Sequence, residues 1–574
     1  MKNEEFTTAQ CGFNNYIMII MEKINNKIRK RGLKMMMKQL GAAFFILHSS
    51  LFISSCSDWD DHYEADAAAG SDLTVWQQME QNPQLSDFRQ VLQETKVFRM
   101  HRKTAVSYAD LLNSGQSFTV VAPLNGTFDR DSLLRLVQTN QGDSIVEKFF
   151  VHNHLSRTAA SLTDDEKQLL LLNSKHVTMK DGSIQGVAVT SPNGHAKNGV
   201  LHIVAQPLPY DYNLYEALCD MPDMQAIGTF LRQYEEDWFD ADNSVSSGIV
   251  EGVPVYVDSV VVERNRMLER IGYLASEDST YWMVAPTTEG WNKVWEETSK
   301  YFVYDQSVLK RDSIQQFWTN RALLDDAIFN MTDQHSVQDS LVSVPYLSWR
   351  KTWTQGKPVF HVFLHPFAPG GILNGAQEVK CSNGTLYKVS EWPFTPEQTF
   401  FKELWAEGES TANITAEKSC SYNVRREVAD SISDNGYLQV LPTTATSNWE
   451  LTFKVSNTLS AYYDICAIIL PMTVTGQTYE KLLPCKFKAT INYVDEQGQT
   501  QSFNCNNTQF RSNPEKVDTV VLAEAFRLPA CNYDQQDIKV SVRLQCYILA
   551  RETANYSREM FLDCIYLRPK MKNE

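Results

Sequence analysis

Phe118-Thr119-Val120-Val121-Ala122-Pro123, followed by Phe128, returns 163 residues later as Tyr281-Trp282-Met283-Val284-Ala285-Pro286, followed by Trp291. Each copy is a short apolar run stopped by proline, which has no amide to donate to a β-ladder, so both read as buried strands with abrupt ends. Upstream, Trp76, Met79, Pro83, Leu85, Phe88, Val91 and Leu92 match Tyr215, Leu218, Pro222, Met224, Ile227, Phe230 and Leu231 at an offset of 139. Downstream, Asn198-Gly199-Val200-Leu201-His202-Ile203-Val204 matches Asn383-Gly384-Thr385-Leu386-Tyr387-Lys388-Val389 at an offset of 185. The blocks keep their order, which is the signature of an internal repeat. The growing offsets place two insertions in the second copy, one within 234–275 and one between the Ala-Pro and Asn-Gly blocks.

Leu85, Phe88, Val91 and Leu92 recur at helical spacing and predict an amphipathic helix at the start of each module. Asn-Gly followed by alternating Val200, His202 and Val204 predicts a turn that enters a strand, because both residues of the pair tolerate positive φ. The module therefore mixes α and β. Its blocks resemble the fasciclin-like domain, which carries a strand ending in Ala-Pro-x-Asn-x-x-Phe and a late Asn-Gly-x-x-His strand. In the first copy Ala122, Pro123, Asn125 and Phe128 fit the former pattern, and Asn198, Gly199 and His202 the latter. Phe149-Phe150-Val151-His152 resembles the family's Tyr-His segment, with Val151 in place of tyrosine. The second copy keeps Ala285, Pro286, Asn383 and Gly384, but Thr288 replaces the Asn, Trp291 the Phe and Tyr387 the His. The resemblance covers 73–210 well and 211–397 less closely. It implies an adhesion and interaction module with no catalytic residue set.

From 398 to 574 the texture changes to two-residue alternation. Trp449, Leu451, Phe453 and Val455 form one such run, Leu483, Cys485, Phe487, Ala489, Ile491 and Tyr493 a second, and Val540, Val542, Leu544, Cys546 and Ile548 a third. Polar residues, Lys486 and Lys488 among them, fall on the opposite face. Turn signals such as Asp495-Glu496-Gln497-Gly498 separate the runs, which predicts an antiparallel β-sandwich. The closing Phe561-Leu562-Asp563-Cys564-Ile565-Tyr566-Leu567 resembles the last strand of galactose-binding-like jelly rolls, a fold many carbohydrate-binding modules use. The expected fold class is α+β: two tandem fasciclin-like α/β modules, at 73–210 and 211–397, followed by a jelly-roll-like sandwich.

Residues 1–56 read as an address and are set aside from the fold. Lys27, Arg29, Lys30, Arg31, Lys34 and Lys38 precede a mostly apolar run, Leu40 to Ile53, that is too short to span a bilayer. It ends in Leu51-Phe52-Ile53-Ser54-Ser55-Cys56, which resembles the bacterial lipobox and implies lipidation of Cys56. Met21 or Met35 is the expected start, and residues 57–72 read as a flexible tether. The acidic Asp58, Asp60 and Asp61 beside Cys56 resemble a signal for export to the outer face of the outer membrane in some Gram-negative bacteria. A solvated linker is the alternative reading.

Composition bounds the function. With 43% hydrophobic residues, 21% charged residues and a mean hydropathy of −0.34, the 574-residue chain reads as soluble and globular, not as a polytopic membrane protein. A net charge of −16 with no basic stripe after residue 34 argues against a nucleic-acid partner. His152, His154 and His202 are weighed as a metal trio, and His361 with His365 as a zincin pair that lacks its glutamate. Asp240, Asp242, Ser244 and Glu251 follow calcium-loop spacing, but Val245 stands where glycine makes the turn. None of these is adopted, so no metal or cofactor is expected. Eight of the eleven cysteines lie between 381 and 564, most of them expected as buried free thiols. Nucleotide and serine-hydrolase motifs are missing, so the chain is expected to be non-catalytic. The expected partners are a glycan or a surface protein, with the membrane reached only through the N-terminal lipid. Tyr462, Tyr463 and Tyr533 are the candidate glycan platforms. Two alternatives stay open: a glycoside hydrolase or lyase with scattered carboxylates, and an adhesin in which the sandwich is structural.

Overall fold

A computed structural model describes residues 71–99, 102–250, 253–331, 340–344, 360–426, 432–505 and 509–571. Cys56, the run before it and most of the tether lie outside these residues. The first Ala-Pro strand, Phe118–Pro123, runs parallel to Gly199–Val204, with Phe118 opposite Gly199 and Pro123 opposite Val204. The second, Tyr281–Pro286, runs parallel to Gly384–Val389, with Tyr281 opposite Gly384 and Pro286 opposite Val389. Register is identical in the two copies although the chain between the paired strands is longer in the second. Val187–Ala196 and Gln377–Cys381 extend the two sheets antiparallel on the Asn-Gly side.

The Asn-Gly pair explains this register. Asn198 Nδ2 donates to the carbonyls of Leu112 (2.9 Å) and Ser114 (2.8 Å), while its Oδ1 accepts from the Val75 amide at 2.8 Å. Asn383 does the same with the Leu274 and Ser276 carbonyls (2.8 and 2.9 Å) and the Leu214 amide (2.9 Å). One side chain thus ties three separate segments of each module. The glycine behind it has φ +148° at Gly199 and +150° at Gly384, and a Cβ would lie 1.8 or 1.9 Å from the carbonyl oxygen of Phe118 or Tyr281. Only glycine permits so close an approach of the two strands.

The expected amphipathic helices are present. Ser86–Glu94 buries Phe88, Val91 and Leu92, and Gln225–Arg232 buries Ile227, Phe230 and Leu231. A hairpin follows each: Lys96–Arg99 with Arg102–Ser107 in the first module, and the much longer Glu235–Val250 with Val253–Asn265 in the second. The insertion expected within 234–275 is therefore an elongated hairpin. The residues with calcium-loop spacing, Asp240, Asp242 and Ser244, lie on the extended strand Glu235–Val250 of this hairpin, while Glu251 falls outside the described residues.

The C-terminal part is a sandwich of two antiparallel sheets. One orders its strands Cys420–Arg426, Gly436–Pro442, Met560–Lys570, Tyr462–Ile469 and Asp518–Arg527, with Leu404–Glu407 also on Met560–Lys570. The other orders Ile414–Lys418, Glu450–Lys454, Ser541–Cys546, Lys486–Val494 and Thr500–Asn504, with Phe510–Arg511 also on Lys486–Val494. Trp449, Leu451, Phe453, Val455, Phe487, Ala489, Ile491, Val542 and Leu544 fill the space between them, as their alternation predicts. Lys486 departs from its expected wet face. It is 1% exposed, paired with Glu552 and lying 5.0 Å from the Tyr556 ring centroid. All nine described cysteines are free thiols.

The two junctions between units differ in kind. Between the first and second modules, Lys175 is 4% exposed and meets Glu216 and Glu277, each at 3.0 Å. Between the second module and the sandwich the contact includes a shared apolar core, in which Phe302, Tyr304 and Trp318 belong to the same buried cluster as Trp449 and Phe487, beside a pair between Lys539 and the buried Asp305 at 2.8 Å. No described helix is long and apolar enough to cross a membrane.

Candidate functional site at the junction of the second module and the sandwich

The motif residues of the repeat hold the modules together. Ala122 and Ala285 are fully buried, and Pro123 and Pro286 are buried at the strand ends. Asn125 brackets the strand exit to the helix entry: its Oδ1 accepts from the Asp87 amide and its Nδ2 donates to the Pro83 carbonyl, each at 2.9 Å. Its own amide donates to the Gln84 carbonyl at 2.9 Å, and Thr288 repeats that bond to Asp223 at 2.7 Å without the side-chain bracket. Phe128 packs on Phe150 with ring centroids 5.0 Å apart.

The three histidines do not converge. The stretch Glu147–His154 is helical and not a strand, so His152 and His154 do not share a strand face. His154 accepts from the Leu208 amide at 3.0 Å through Nε2 and donates from Nδ1 to the Phe150 carbonyl at 2.7 Å. His202 accepts from the Asn193 amide and donates to the Ala160 carbonyl at 2.9 Å. His152 meets the Tyr108 hydroxyl at 2.5 Å. Burial pushes His152 and His154 down to about 4, and lowers His202 as well. Imidazoles with both nitrogens engaged, as in His154 and His202, are neutral structural groups. Among the described residues, no cluster of three or more His, Cys, Asp or Glu side chains is arranged to hold a metal ion.

Two of the three candidate tyrosines lie at the junction between the second module and the sandwich, in different cavities. Tyr533 lines a partly open cavity of about 220 Å³ with Phe302, Trp318, Asp326, His361 and Asn457. Its ring sits edge-on to Trp318 at 4.9 Å and to Phe302 at 5.9 Å, and burial pushes its hydroxyl up to about 12. On the cavity wall, His361 Nδ1 meets Asp326 Oδ1 at 2.6 Å, and the Ser343 hydroxyl donates to the same oxygen at 2.9 Å. Next to it Asp325 takes two bonds from Arg321 at 2.6 and 3.0 Å, yet burial raises it to about 6. Periodicity alone had marked His361 only as half of a zincin-like pair, because Asp326 reaches it from a distant helix end.

Tyr462 lines a more open groove of about 330 Å³ together with Tyr301, Lys300, Ser460, Arg527 and Lys570. The Arg527 guanidinium lies 5.3 Å from the Tyr462 ring centroid and donates to the Ser460 carbonyl at 2.6 Å. Lys300 pairs with Glu297 at 2.7 Å and Lys570 with Asp464 at 3.3 Å. Tyr463 corrects the expectation placed on it. It is 1% exposed, and its hydroxyl accepts from the Leu459 amide at 3.0 Å, so its ring offers no face to a ligand. Successive residues of a strand point to opposite faces, which sends Tyr462 outward and Tyr463 into the core.

A third polar feature sits on the sandwich. Glu407, Glu409 and Asp563 are raised, chiefly by burial, and Asp563 reaches about 7 with the other two carboxylates adding to the shift. The Ser433 amide donates to Asp563 at 3.0 Å and its hydroxyl to Glu407 at 2.8 Å.

Comparison with known proteins places part of the chain. A family profile described as the fasciclin domain matches residues 83–209, within the first copy of the repeat. No curated protein matches the chain. Among solved structures, a FAS1 domain pair from the insect cell adhesion molecule Fasciclin I is 12% identical, over 50% of this chain and 92% of that one, with a TM-score of 0.18. The CBM22-1 xylan-binding domain of Xyn10C from Paenibacillus barcinonensis is 18% identical, over 29% of this chain and 93% of that one, with a TM-score of 0.18. Tailspike protein 4 of bacteriophage CBA120 is 11% identical over 28% of this chain, with a TM-score of 0.19, and the chain spans only 20% of the tailspike's length. Likenesses this distant say nothing of what this chain binds. The chain is an α+β protein in which residues 83–209 match the fasciclin domain and residues 404–570 form a β-sandwich.

Proposed function

We propose that this is a non-catalytic surface protein, tethered to the outer membrane by lipid on Cys56, that contacts glycan in the groove beside Tyr462. The observation that carries the reading is the lining of that groove: the rings of Tyr301 and Tyr462 beside hydroxyl and cationic groups of Ser460, Arg527 and Lys570. Aromatic faces stack on the C–H faces of sugar rings while neighbouring polar groups hold hydroxyls, and such mixed linings mark small-molecule sites. Of the lining cations, Lys300 is paired with Glu297 and Lys570 with Asp464, so the positive charge offered to a ligand rests on Arg527, and in a chain of net charge −16 it favours an acidic polysaccharide over a neutral one. The second copy of the repeat, which shares its strand register and Asn-Gly bonding with the first, is read as a second fasciclin-like module and carries this groove on its junction with the sandwich.

Affinity electrophoresis of the whole chain through gels holding acidic or neutral polysaccharides tests the glycan contact. Retardation in an acidic gel, lost in Tyr462→Ala and kept in Asn125→Ala, supports it; no retardation in any gel refutes it. The catalytic alternative would place its acids at Asp325 and Asp326. Both are held in pairs, by Arg321 and by His361 with Ser343, which suits a fixed wall better than proton transfer. Release of reducing ends from the same panel, abolished by Asp326→Asn, would overturn the non-catalytic reading. For the anchor, Cys56→Ala should move the protein out of the membrane fraction, and unchanged partitioning would sink it.

A further inference from the structure

Each copy of the repeat projects a two-stranded hairpin directly after its amphipathic helix, and the two hairpins are opposite in charge. Lys96 opens the first and Glu235 the second, at the same offset of 139 that relates the helices. From Lys96 to Ser107 the chain holds Lys96, Arg99, Arg102 and Lys103 and no acidic residue. From Glu235 to Asn265 it holds eight acidic residues against the single Arg264. Among the described residues each hairpin is a sheet of two strands only; in the first, the Lys96 and Phe98 amides donate to Asp143 and Glu147 and Lys103 pairs with Asp143, which leaves Arg99 and Arg102 as its exposed cations.

The base of the acidic ribbon also exposes apolar surface. Trp238 is 48% exposed, Phe239 39% and Val262 46%, with the Arg264 guanidinium 3.6 Å from the Trp238 ring centroid. Beside them lies a groove of about 610 Å³ lined by Tyr215, Glu235, Glu236, Glu269 and Tyr273. Its lining holds five carboxylates, Glu235, Glu236, Asp237, Glu263 and Glu269, against Arg264, which pairs with Glu236, so the remaining negative charge suits a basic occupant with some apolar surface. The first module's hairpin answers that description, with exposed Arg99 and Arg102 beside Val106 at 41% exposure.

We propose that the basic hairpin of one copy of this chain docks, through Arg99 and Arg102, in the groove at the base of the acidic ribbon of a second copy, so that neighbouring chains pair through their repeat modules. The two surfaces stand at equivalent places in the repeat and carry opposite charge, which makes a second copy an occupant that brings the required cations and apolar surface. The pairing is independent of the glycan reading, since it uses neither Tyr301 nor Tyr462.

Sedimentation velocity of the whole chain over a concentration series tests this. Association is expected at low salt and should weaken at least about tenfold between about 0.05 and 0.5 M salt, because exposed opposite charges are screened. Arg99→Glu/Arg102→Glu and Glu235→Lys/Glu269→Lys should each be monomeric alone, the first with two acidic surfaces and the second with two basic ones. An equimolar mixture of the two variants should associate again, because each then meets its opposite charge. Restored association also shows that both variants fold. A wild-type chain that stays monomeric, a single variant that still associates, association indifferent to salt, or a mixture that stays monomeric would each overturn the proposal.

Discussion

Asn198→Ala removes one side chain and leaves three backbone groups without their partner: the Val75 amide and the Leu112 and Ser114 carbonyls, bonded at 2.8, 2.9 and 2.8 Å. Val75 and Leu112 are fully buried, so water cannot replace the lost bonds, whereas Ser114 is half-buried and can rehydrate. An orphaned buried donor or acceptor costs about 1–3 kcal/mol, so two of them cost about 2–6 kcal/mol, and partial relaxation brings the expected loss to about 3 kcal/mol. Asn383→Ala should cost the second module as much, because its partners, Leu214, Leu274 and Ser276, repeat the geometry and the burial. Asn198→Asp keeps the bond to Val75 but turns a carboxylate oxygen toward two carbonyls, and should lose at least as much as alanine. A chain of several units has no single unfolding free energy, so the assay is hydrogen exchange resolved by peptide. Asn198→Ala should lower the opening free energy of Phe118–Pro123 and Gly199–Val204 by about 3 kcal/mol and leave Tyr281–Pro286 and Gly384–Val389 unchanged. Asn383→Ala should do the reverse. A loss below about 1 kcal/mol in the mutated module, or an equal loss in both, would refute the bracing role of this residue.

Acid and base should act on opposite ends of the chain. His152 and His154 go down to about 4 in the fold against 6.5 unfolded, so these two groups bind more protons in the unfolded first module; they outnumber the buried Glu147, which is raised and acts the other way, and the module's stability falls as pH drops from 6.5 to 4. Asp563 titrates near 7 in the fold against 3.8 unfolded, with Glu407 and Glu409 also raised, so the folded sandwich holds the extra protons and loses stability as pH rises from 4 to 7. Hydrogen exchange at pH 5 and pH 7.5 should show protection moving in opposite directions in the two parts, and a common direction would refute the assignment. Calorimetry should show the second module and the sandwich melting together, because Phe302, Tyr304 and Trp318 sit in the sandwich's own cluster. Trp318→Ala should lower that shared transition and leave the first module's in place, at a cost of about 3–5 kcal/mol for a large core deletion; two separate melts for the second module and the sandwich would contradict a shared core.

What could be read in one dimension was what depends on local pattern and on residues with special backbone demands. Proline ends a strand and an Asn-Gly pair tolerates positive φ, so the Ala-Pro and Asn-Gly blocks marked two strands in each module, while their parallel pairing and the carbonyl lying where a Cβ would stand appeared only in the fold. Alternation of Trp449, Leu451, Phe453 and Val455 likewise placed one face of a sheet in a core. Tertiary structure alone decided the rest, because those properties belong to segments that meet only on folding. The burial of Lys486 against Glu552, the pairing of Asp326 with His361, and the apolar fusion of Trp318 into the sandwich each join residues from different elements. The helical turn that separates His152 from His154 overrode their strand-like spacing, and strand pleat, invisible in a Tyr-Tyr pair, put Tyr462 in a groove and Tyr463 in the core. Side-chain chemistry is written in the sequence, but which faces meet depends on the three-dimensional packing that burial of apolar surface selects.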